Sequence, residues 1–299
     1  MKHGVGYRRQ RRVIAAFLGP PLFLLAGLTV IPFAFCVYLS LHAMDLSTPE
    51  TMGEFVGWDN YRGVLQGDPG FESAMIVTSK FVAIAVLLET LLGLLLAAYL
   101  QSLTPRIRRV MMAIVVLPMM MAPVAVALMW LFLLQPDYGL ATHALAALGL
   151  ENTPVLANPR TALFVVCCVD VWEWTPFTTL VFWAGIAAIP RPPVDAAKID
   201  GLSVGQRIEN IYWPKLRGIV GIAVLLRLLD AIKVFDIVYI LTGGGPGDAT
   251  EVTSTYIYRA TFRETDFGAG AAQTVILYYI ILCVCGVVFH ASQGRERLT

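Results

Sequence analysis

Four charged residues of alternating sign occur at intervals of three within one strongly apolar stretch: Arg227, Asp230, Lys233 and Asp236. Each charge at the centre of a membrane span costs roughly 2.5–3.5 kcal/mol on insertion scales. In a straight helix, steps of three residues advance about 300°, so the four side chains would sweep about half of the circumference. Two interpretations stay open: structural ion pairs that hold this helix to its neighbours, or a polar wall along a solute path.

An earlier apolar stretch contains the consecutive residues Trp172, Glu173 and Trp174, followed by a proline at position 176. Indole rings offer large amphipathic faces against which a sugar ring can stack, and a carboxylate accepts hydrogen bonds from hydroxyl groups. Tryptophan is also a routine anchor at membrane interfaces. These three residues are therefore candidates for solute contact or for a structural role. Glu89 and Asp170 are further acids in apolar stretches, without context that distinguishes a role.

The composition indicates the elements that must position these residues. The chain is 57% hydrophobic and 14% charged, whereas a soluble domain is about a quarter charged. Its apolar residues form blocks of about 20 or more, long enough to cross a bilayer. We therefore predict an all-α polytopic membrane protein whose six transmembrane helices are approximately Ala15–Leu41, Ile76–Leu100, Val110–Leu134, Thr161–Ile189, Ile219–Leu241 and Ala271–His290.

The distribution of Lys and Arg predicts the orientation of these spans. The segments 1–14, 101–109, 190–218 and 291–299 hold 15 basic residues, whereas the segments 42–75, 135–160 and 242–270 hold 4. We therefore expect a transmembrane domain over 15–290, with the basic N-terminus (1–14), the C-terminal tail (291–299) and segment 190–218 in the cytoplasm. The net charge of +1 indicates nothing about nucleic acid, and no nucleic-acid partner is expected.

The sequence of segment 190–218, which we call the insert, predicts two short helices joined by a tight turn. Gly201 has the position of a residue just past a helix C-terminus. Ser203 and Gln206 form a capping-box pattern at the start of a second helix. Val204, Ile208, Ile211 and Tyr212 form one apolar stripe along it, and Pro214 is expected to stop it before the fifth span. From the pattern alone, this insert either packs on its own protein or binds a partner.

The insert resembles the "EAA" loop of permease subunits in bacterial binding-protein-dependent ABC importers. The resemblance rests on Asp195-Ala196-Ala197, on Asp200-Gly201 and on Trp213-Pro214, with Asp195 where the family usually has Glu. The phrases "FVGWDNY" (55–61), "VWEWTPF" (171–177) and "RLLDAIKVFDIVYILTGGGPGDAT" (227–250) are similar to the carbohydrate branch of that family. Lys80, in a phrase where the family usually has an Asn-Thr pair, departs from the pattern.

The resemblance implies a bacterial inner-membrane permease subunit that imports an oligosaccharide, a polyol or glycerol phosphate. The implied partners are a second homologous permease, a dimer of ATPase subunits and an extracytoplasmic solute-binding protein. The loop that would face the ATPase comprises Asp195, Ala196, Ala197, Lys198, Asp200 and Gly201.

No phosphate-binding Gly-x-x-x-x-Gly-Lys-[Ser/Thr] motif occurs in the sequence. The run from Gly243 to Gly247 is expected on the outside and has no following Lys, so it is interpreted as a turn rather than a phosphate loop. We therefore expect no enzymatic activity, no cofactor and no metal in this chain, with ATP and Mg²⁺ bound by the partner ATPase. Two alternatives remain: a secondary transporter driven by an ion gradient, and a membrane-embedded enzyme that uses Asp230 or Glu173.

Overall fold

The computed structural model describes residues 4–147 and 155–293, and the regular structure in these ranges is helical. The helices are α1 (Gly4–Ser40), α2 (Asp59–Gly67), α3 (Pro69–Ser102), α4 (Pro105–Val116), α5 (Pro123–Leu133), α6 (Leu140–Ala147), α7 (Ala162–Ala187), α8 (Arg191–Ile199), α9 (Val204–Arg207), α10 (Trp213–Ala231), α11 (Asp236–Leu241), α12 (Thr253–Tyr258) and α13 (Phe267–Gln293). One 3₁₀ turn covers Pro118–Met120, and two π-helical turns cover Ile208–Tyr212 and Arg259–Arg263. The all-α prediction is confirmed for these residues.

Within residues 4–147 and 155–293, four uninterrupted helical segments are long and apolar enough to cross a membrane: Ala16–Ser40, Pro69–Ser102, Ala162–Ala187 and Phe267–Val288. They correspond to the first, second, fourth and sixth predicted spans. The first continues as a helix through three prolines, Pro20, Pro21 and Pro32. The predicted tail 291–299 reaches beyond the described residues after position 293.

The third predicted span, Val110–Leu134, is not one continuous helix. It consists of the end of α4, the 3₁₀ turn and α5. Pro118 opens the 3₁₀ turn and Pro123 opens α5, because proline lacks the N–H that an α-helix interior requires but fits a first turn. The prediction of a straight span was wrong, and these two prolines give the physical reason.

The fifth predicted span is also interrupted. Helix α10 ends at Ala231 and α11 begins at Asp236, so residues 232–235 form a non-helical break. At its other end α10 begins at Trp213, directly after a π-helical turn that continues α9. The expectation that Pro214 stops the second insert helix was therefore wrong. Pro214 lies in the first turn of α10, where its missing N–H is tolerated, and the π-turn carries the chain through without a loop.

The chain divides into two compact units, and the first comprises the chain up to Asp68 together with Ile257–Tyr278. Within it, the segment after α1 is held by isolated antiparallel bridges that pair His42 with Phe55 and Asp45 with Asp266. The Asn60 side chain donates to the carbonyl oxygens of Ser40 (2.9 Å) and His42 (3.0 Å). These bonds fix the end of α1 against the start of α2.

The second unit comprises Pro69–Tyr256 and the chain from Tyr279 onward, and its core is the pairing of α3 with α7. Gly93 on α3 lies so close to Thr178 on α7 that a Cβ at Gly93 would overlap the threonine side chain. The Thr178 hydroxyl donates to the carbonyl oxygen of Glu89 (2.9 Å). Small residues that permit such close approach are typical of helix contacts in membranes. Helix α10 packs on this pair through Leu216, Val220 and Ala223.

Candidate functional site

A buried ion cluster joins the three helices of this core. The Arg227 guanidinium on α10 donates through Nε and Nη2 to both carboxylate oxygens of Glu89 on α3, at 2.5 and 2.7 Å. Its Nη2 also lies 2.9 Å from Asp170 Oδ2 on α7. The side chains of all three residues are at most 3% exposed. Two fully buried carboxylates thus share one planar, forked cation, which suits bidentate pairing.

The same guanidinium reaches toward the break in the fifth span. Its Nη1 is 3.4 Å from Asp230 Oδ2, and its central carbon lies 4.8 Å from the ring centroid of Trp174. Asp230 also forms an ion pair with Lys233, whose Nζ is 3.7 Å from Oδ1. Among the described residues, Asp236 has no ion pair. The charged residues of the fifth span are therefore divided between a buried pairing cluster and the surface of a cavity.

A cavity of about 300 Å³ opens at this break. Its lining combines two aromatic rings, several apolar side chains and both signs of charge: Pro123, Asp170, Trp174, Arg227, Asp230, Ala231, Lys233, Val234, Phe235, Asp236 and Ile237. Non-helical backbone at membrane depth is tolerated only where protein buries it or where it lines a wet cavity. The cavity therefore explains how a non-helical break between α10 and α11 is tolerated within a span.

The three aromatic and acidic candidates on α7 have different environments. Trp174 lines the cavity, whereas Trp172 is 37% exposed and packs edge-on against Trp130 at a centroid distance of 5.7 Å. Glu173 is 1% exposed, and its Oε2 has no hydrogen-bond partner among the described residues. Positions 170, 173 and 174 share one face of α7 because residues three and four apart are neighbours on a helix.

Sequence reasoning found all three members of the ion cluster but not their association. Glu89 and Arg227 are 138 positions apart, and no local pattern indicates such a pairing. The one available signal was energetic, since a guanidinium within a span requires a carboxylate partner. Of the predicted solute-path residues, Trp174, Asp230, Lys233 and Asp236 line one cavity, and Trp172 and Glu173 are not among its lining residues.

The insert forms as two short helices with the predicted caps. Gly201 follows α8 with a φ of +75°, and the capping box of Ser203 and Gln206 is complete, at 2.8 and 3.3 Å. Asp195 accepts from Lys198 at 3.3 Å, and both side chains are exposed. Ala197 is buried, whereas Ile199 is 86% exposed.

The exposed apolar surface of the insert extends into α9 and the π-turn, where Val204 and Ile208 are exposed. A polar cavity of about 280 Å³ lies beside it, lined by Gln101, Ile186, Ile189, Arg191, Val194, Asp195, Lys198 and Tyr212. The apolar side chains on this short, charged pair of helices are exposed to water. Exposed apolar surface of this kind is typical of a site that another protein or a membrane covers.

The glycine run after α11 forms a turn, as predicted. Gly243, Gly244 and Gly247 have φ values of +61°, +93° and +60°, a region that side chains disfavour. The Thr250 hydroxyl closes the turn by donating to the Gly245 carbonyl (2.8 Å) and lies 2.7 Å from the Thr242 hydroxyl. A third cavity, of about 360 Å³, is lined by Gln135, Thr242, Gly245 and neighbouring apolar residues.

Comparison with known proteins gives relatives along nearly the whole chain. The trehalose/maltose transport system permease protein MalF of Thermococcus litoralis is 36% identical over 278 residues, covering 93% of this chain and 92% of that protein. The sulfoquinovosyl glycerol transport system permease protein SmoG of Agrobacterium fabrum is 30% identical over 286 residues, covering 96% and 92%. The sn-glycerol-3-phosphate transport system permease protein UgpA of Escherichia coli is 29% identical over 283 residues, covering 93% and 95%.

A solved structure of a bacterial ABC transporter, involved in the import of the acidic polysaccharide alginate, has the same fold. One of its chains superimposes with a TM-score of 0.82 at 21% identity, covering 96% of each chain. Residues 89–296 match the family described as "Binding-protein-dependent transport system inner membrane component". This match begins at Glu89, within α3, and includes the entire insert. The chain therefore belongs to the family of binding-protein-dependent transport system inner membrane components, and it is a membrane permease.

Proposed function

We propose that this chain is one permease subunit of an ATP-driven importer and forms part of the translocation path for a carbohydrate-type solute, which is an oligosaccharide, a polyol or glycerol phosphate. The single observation that carries the proposal is the cavity at the break between α10 and α11, where aromatic and charged side chains meet within a span. Relatives named for trehalose and maltose, for sulfoquinovosyl glycerol and for glycerol 3-phosphate support the solute class.

The chain crosses the bacterial inner membrane six times, and its third and fifth crossings are interrupted helices. The N-terminus (1–14), the insert (190–218) and the tail (291–299) lie in the cytoplasm. The excess of Lys and Arg in these segments supports that orientation. The transmembrane domain accordingly covers residues 15–290.

The insert binds the ATPase subunit. The residues that make the contact are Asp195, Ala196, Ala197, Lys198, Asp200 and Gly201. The apolar side chains of Ile199, Val204 and Ile208 are exposed to water, which is unfavourable. Their exposure supports a protein partner that covers this surface. The unbroken helical run from Val204 to Ala231 supports a mechanical role, because it leads from the insert to the edge of the cavity.

Three further components complete the importer. A second homologous permease supplies the other wall of the path, and two ATPase subunits bind ATP and Mg²⁺. A solute-binding protein delivers the sugar from outside. The exposed apolar side chains of α1, such as Phe17 and Phe23, support a surface that lipid or a second permease covers.

Coupling can be tested with two matched charge reversals, Asp195→Lys in the insert and Asp59→Lys on α2. Each aspartate is exposed and pairs with a cation three residues later, at 3.3 Å to Lys198 and at 3.2 Å to Arg62. Such a surface pair contributes about 0–1 kcal/mol, so the two variants have similar structural costs. We expect Asp195→Lys to lower sugar uptake per ATP hydrolysed by about tenfold or more, because a like-charge contact at a partner surface costs several kcal/mol.

The measurement uses the importer purified with its ATPase and binding protein and reconstituted into proteoliposomes. Stimulation of ATP hydrolysis by sugar together with the binding protein supports the proposal. Normal coupling in Asp195→Lys would refute the role of the insert. Proton-driven uptake by this chain alone would refute ATP-driven import and identify a secondary transporter instead.

A further inference from the structure

We propose that the cavity at the fifth-span break selects neutral, hydroxyl-rich solutes and rejects anionic ones, a conclusion that rests on the carbohydrate import proposed above. The solute classes named there include both kinds, since glycerol phosphate carries a charge and simple oligosaccharides and polyols do not. The balance and pairing of charges around the cavity distinguish between them.

Carboxylates outnumber cations around the cavity. Three acids line it, Asp170, Asp230 and Asp236, against two cations, Arg227 and Lys233. Glu89 lies directly behind Arg227, with both oxygens on the guanidinium. An anionic solute would therefore enter a region that already carries an excess of negative charge, where like charges strongly disfavour binding.

Both cations that line the cavity already face acids, although only Arg227 is buried among them. Arg227 uses Nε and Nη2 on Glu89, shares Nη2 with Asp170 and directs Nη1 toward Asp230. Lys233 lies 3.7 Å from Asp230. Sites that bind phosphate, sulfonate or carboxylate use Arg or Lys donors that the protein has not already paired with acids. On this wall, Lys233 is the one accessible cation among the described residues, and its charge is offset by Asp230.

The unpaired groups near the cavity are acceptors instead. Asp236 lines the cavity without an ion pair among the described residues. Glu173 is 1% exposed, and its Oε2 has no donor within the part of the chain that the structure describes. It shares a helix face with Asp170 and Trp174, which both line the cavity. A sugar hydroxyl in the cavity can donate to the carboxylate of Asp236, which lines it, whereas Glu173 is not a lining residue.

The aromatic lining agrees with this assignment. The central carbon of the Arg227 guanidinium lies 4.8 Å from the ring centroid of Trp174, and Phe235 stacks on Tyr239 at a centroid distance of 5.1 Å. Small-molecule sites combine such apolar surface with a few polar groups that fix orientation. Apolar ring faces and carboxylate acceptors both suit a neutral sugar, whereas the charged group of an anionic solute is complemented by neither of them.

Direct binding to the assembled importer tests this inference. Saturation-transfer NMR on the complex in nanodiscs, without the solute-binding protein, measures weak binding of four probes: maltose, trehalose, glycerol 3-phosphate and glucuronate. We expect the two neutral sugars to bind at least about tenfold more strongly than the two anions, since like-charge contacts cost several kcal/mol. Equal or stronger binding of either anion would overturn the inference.

Two substitutions at one position sharpen the test. Asp236→Lys supplies a free cation and should shift the ratio of maltose to glycerol 3-phosphate binding by about tenfold or more toward the anion. Asp236→Asn should lower maltose binding without creating an anion preference. The control Asp59→Lys, exposed on α2, should leave the ratio unchanged. An unchanged ratio in Asp236→Lys would contradict the inference, and a ratio is insensitive to the amount of folded protein.

Failure of this inference is distinguishable from failure of the proposed function. If an anionic sugar with its binding protein stimulates ATP hydrolysis and neutral sugars do not, the chain imports carbohydrates but the charge argument is wrong. If no carbohydrate of either kind stimulates hydrolysis by the complete importer, the proposed function itself is refuted.

Discussion

Replacing Arg227 with methionine should strongly destabilise the second unit. Arg227 is the only cation that contacts Glu89 and Asp170 in the described parts of the chain, and both carboxylates are buried. Methionine fills a similar space but leaves two carboxylates without a counter-charge. Removal of one partner from a buried ion cluster costs about 3–5 kcal/mol, since the remaining charge is neither hydrated nor paired. At about 2–4 °C per kcal/mol, the midpoint of thermal unfolding should fall by roughly 6–20 °C.

A compensating variant separates charge from packing. The triple substitution Glu89→Gln, Asp170→Asn and Arg227→Met removes all three charges and nearly keeps the side-chain volumes. Since replacement of a whole buried ion cluster is often close to neutral, we expect the triple variant to recover most of the loss. The pair Glu89→Gln and Asp170→Asn, with Arg227 intact, should instead be destabilised, because a buried guanidinium then lacks its partners.

The assay is thermal unfolding of the purified permease in detergent, followed by tryptophan fluorescence and by size-exclusion chromatography after heating. An Arg227→Met protein that unfolds within about 2 °C of the unmodified chain would refute the reasoning, because the stated cost corresponds to a larger shift. A triple variant as unstable as the single one would show that lost packing, not unpaired charge, is the cause. The two outcomes are independent of transport activity.

Three further changes have defined outcomes. Gly93→Val should lower the thermal midpoint of the second unit, because any side chain there overlaps Thr178 and overpacking costs about 1–3 kcal/mol. Gly201→Ala should destabilise the insert by about 1–2 kcal/mol, since its φ of +75° disfavours a Cβ, and hydrogen exchange along α8 should accelerate. Ser203→Ala should cost about 1 kcal/mol and accelerate exchange at the Gln206 amide, whereas Ser203→Thr retains the cap; equal exchange in both variants would contradict the capping role.

The continuous spans could be predicted because their signal is local. Four stretches of sufficient length and hydrophobicity form uninterrupted helices, and neighbouring residues alone determine both properties. The caps at Gly201 and Ser203 were predictable for the same reason, since each depends on residues at most three positions away. Hydropathy does not indicate whether a span is one continuous helix, however. The third span was therefore predicted as one helix, although Pro118 and Pro123 interrupt it.

The buried cluster was beyond sequence reasoning because its partners come from three helices far apart in the chain. Glu89 lies 138 positions from Arg227, and Asp170 lies 57 positions from it. Both acids were visible as charges within apolar stretches, and energetics required partners for them. Which acid meets which cation depends on the packing of α3, α7 and α10, and that packing depends on close contacts such as Gly93 against Thr178.

The break in the fifth span places the four charges in different surroundings, which bears on the two interpretations of their spacing. A straight helix would spread the four charges over half of its circumference, but this helix stops at Ala231 and restarts at Asp236. No proline or glycine lies between these positions, so the interruption has no local breaker. The interruption lies instead among the charged residues. A charge within a continuous apolar span has a high free-energy cost, and a polar cavity beside the backbone and side chains lowers that cost. Arg227, five residues before the break, forms ion pairs with the buried Glu89 and Asp170. Asp236, where the helix restarts, lies on the cavity wall without an ion pair to any described residue, and the polar-wall role that we propose therefore belongs to this side of the break.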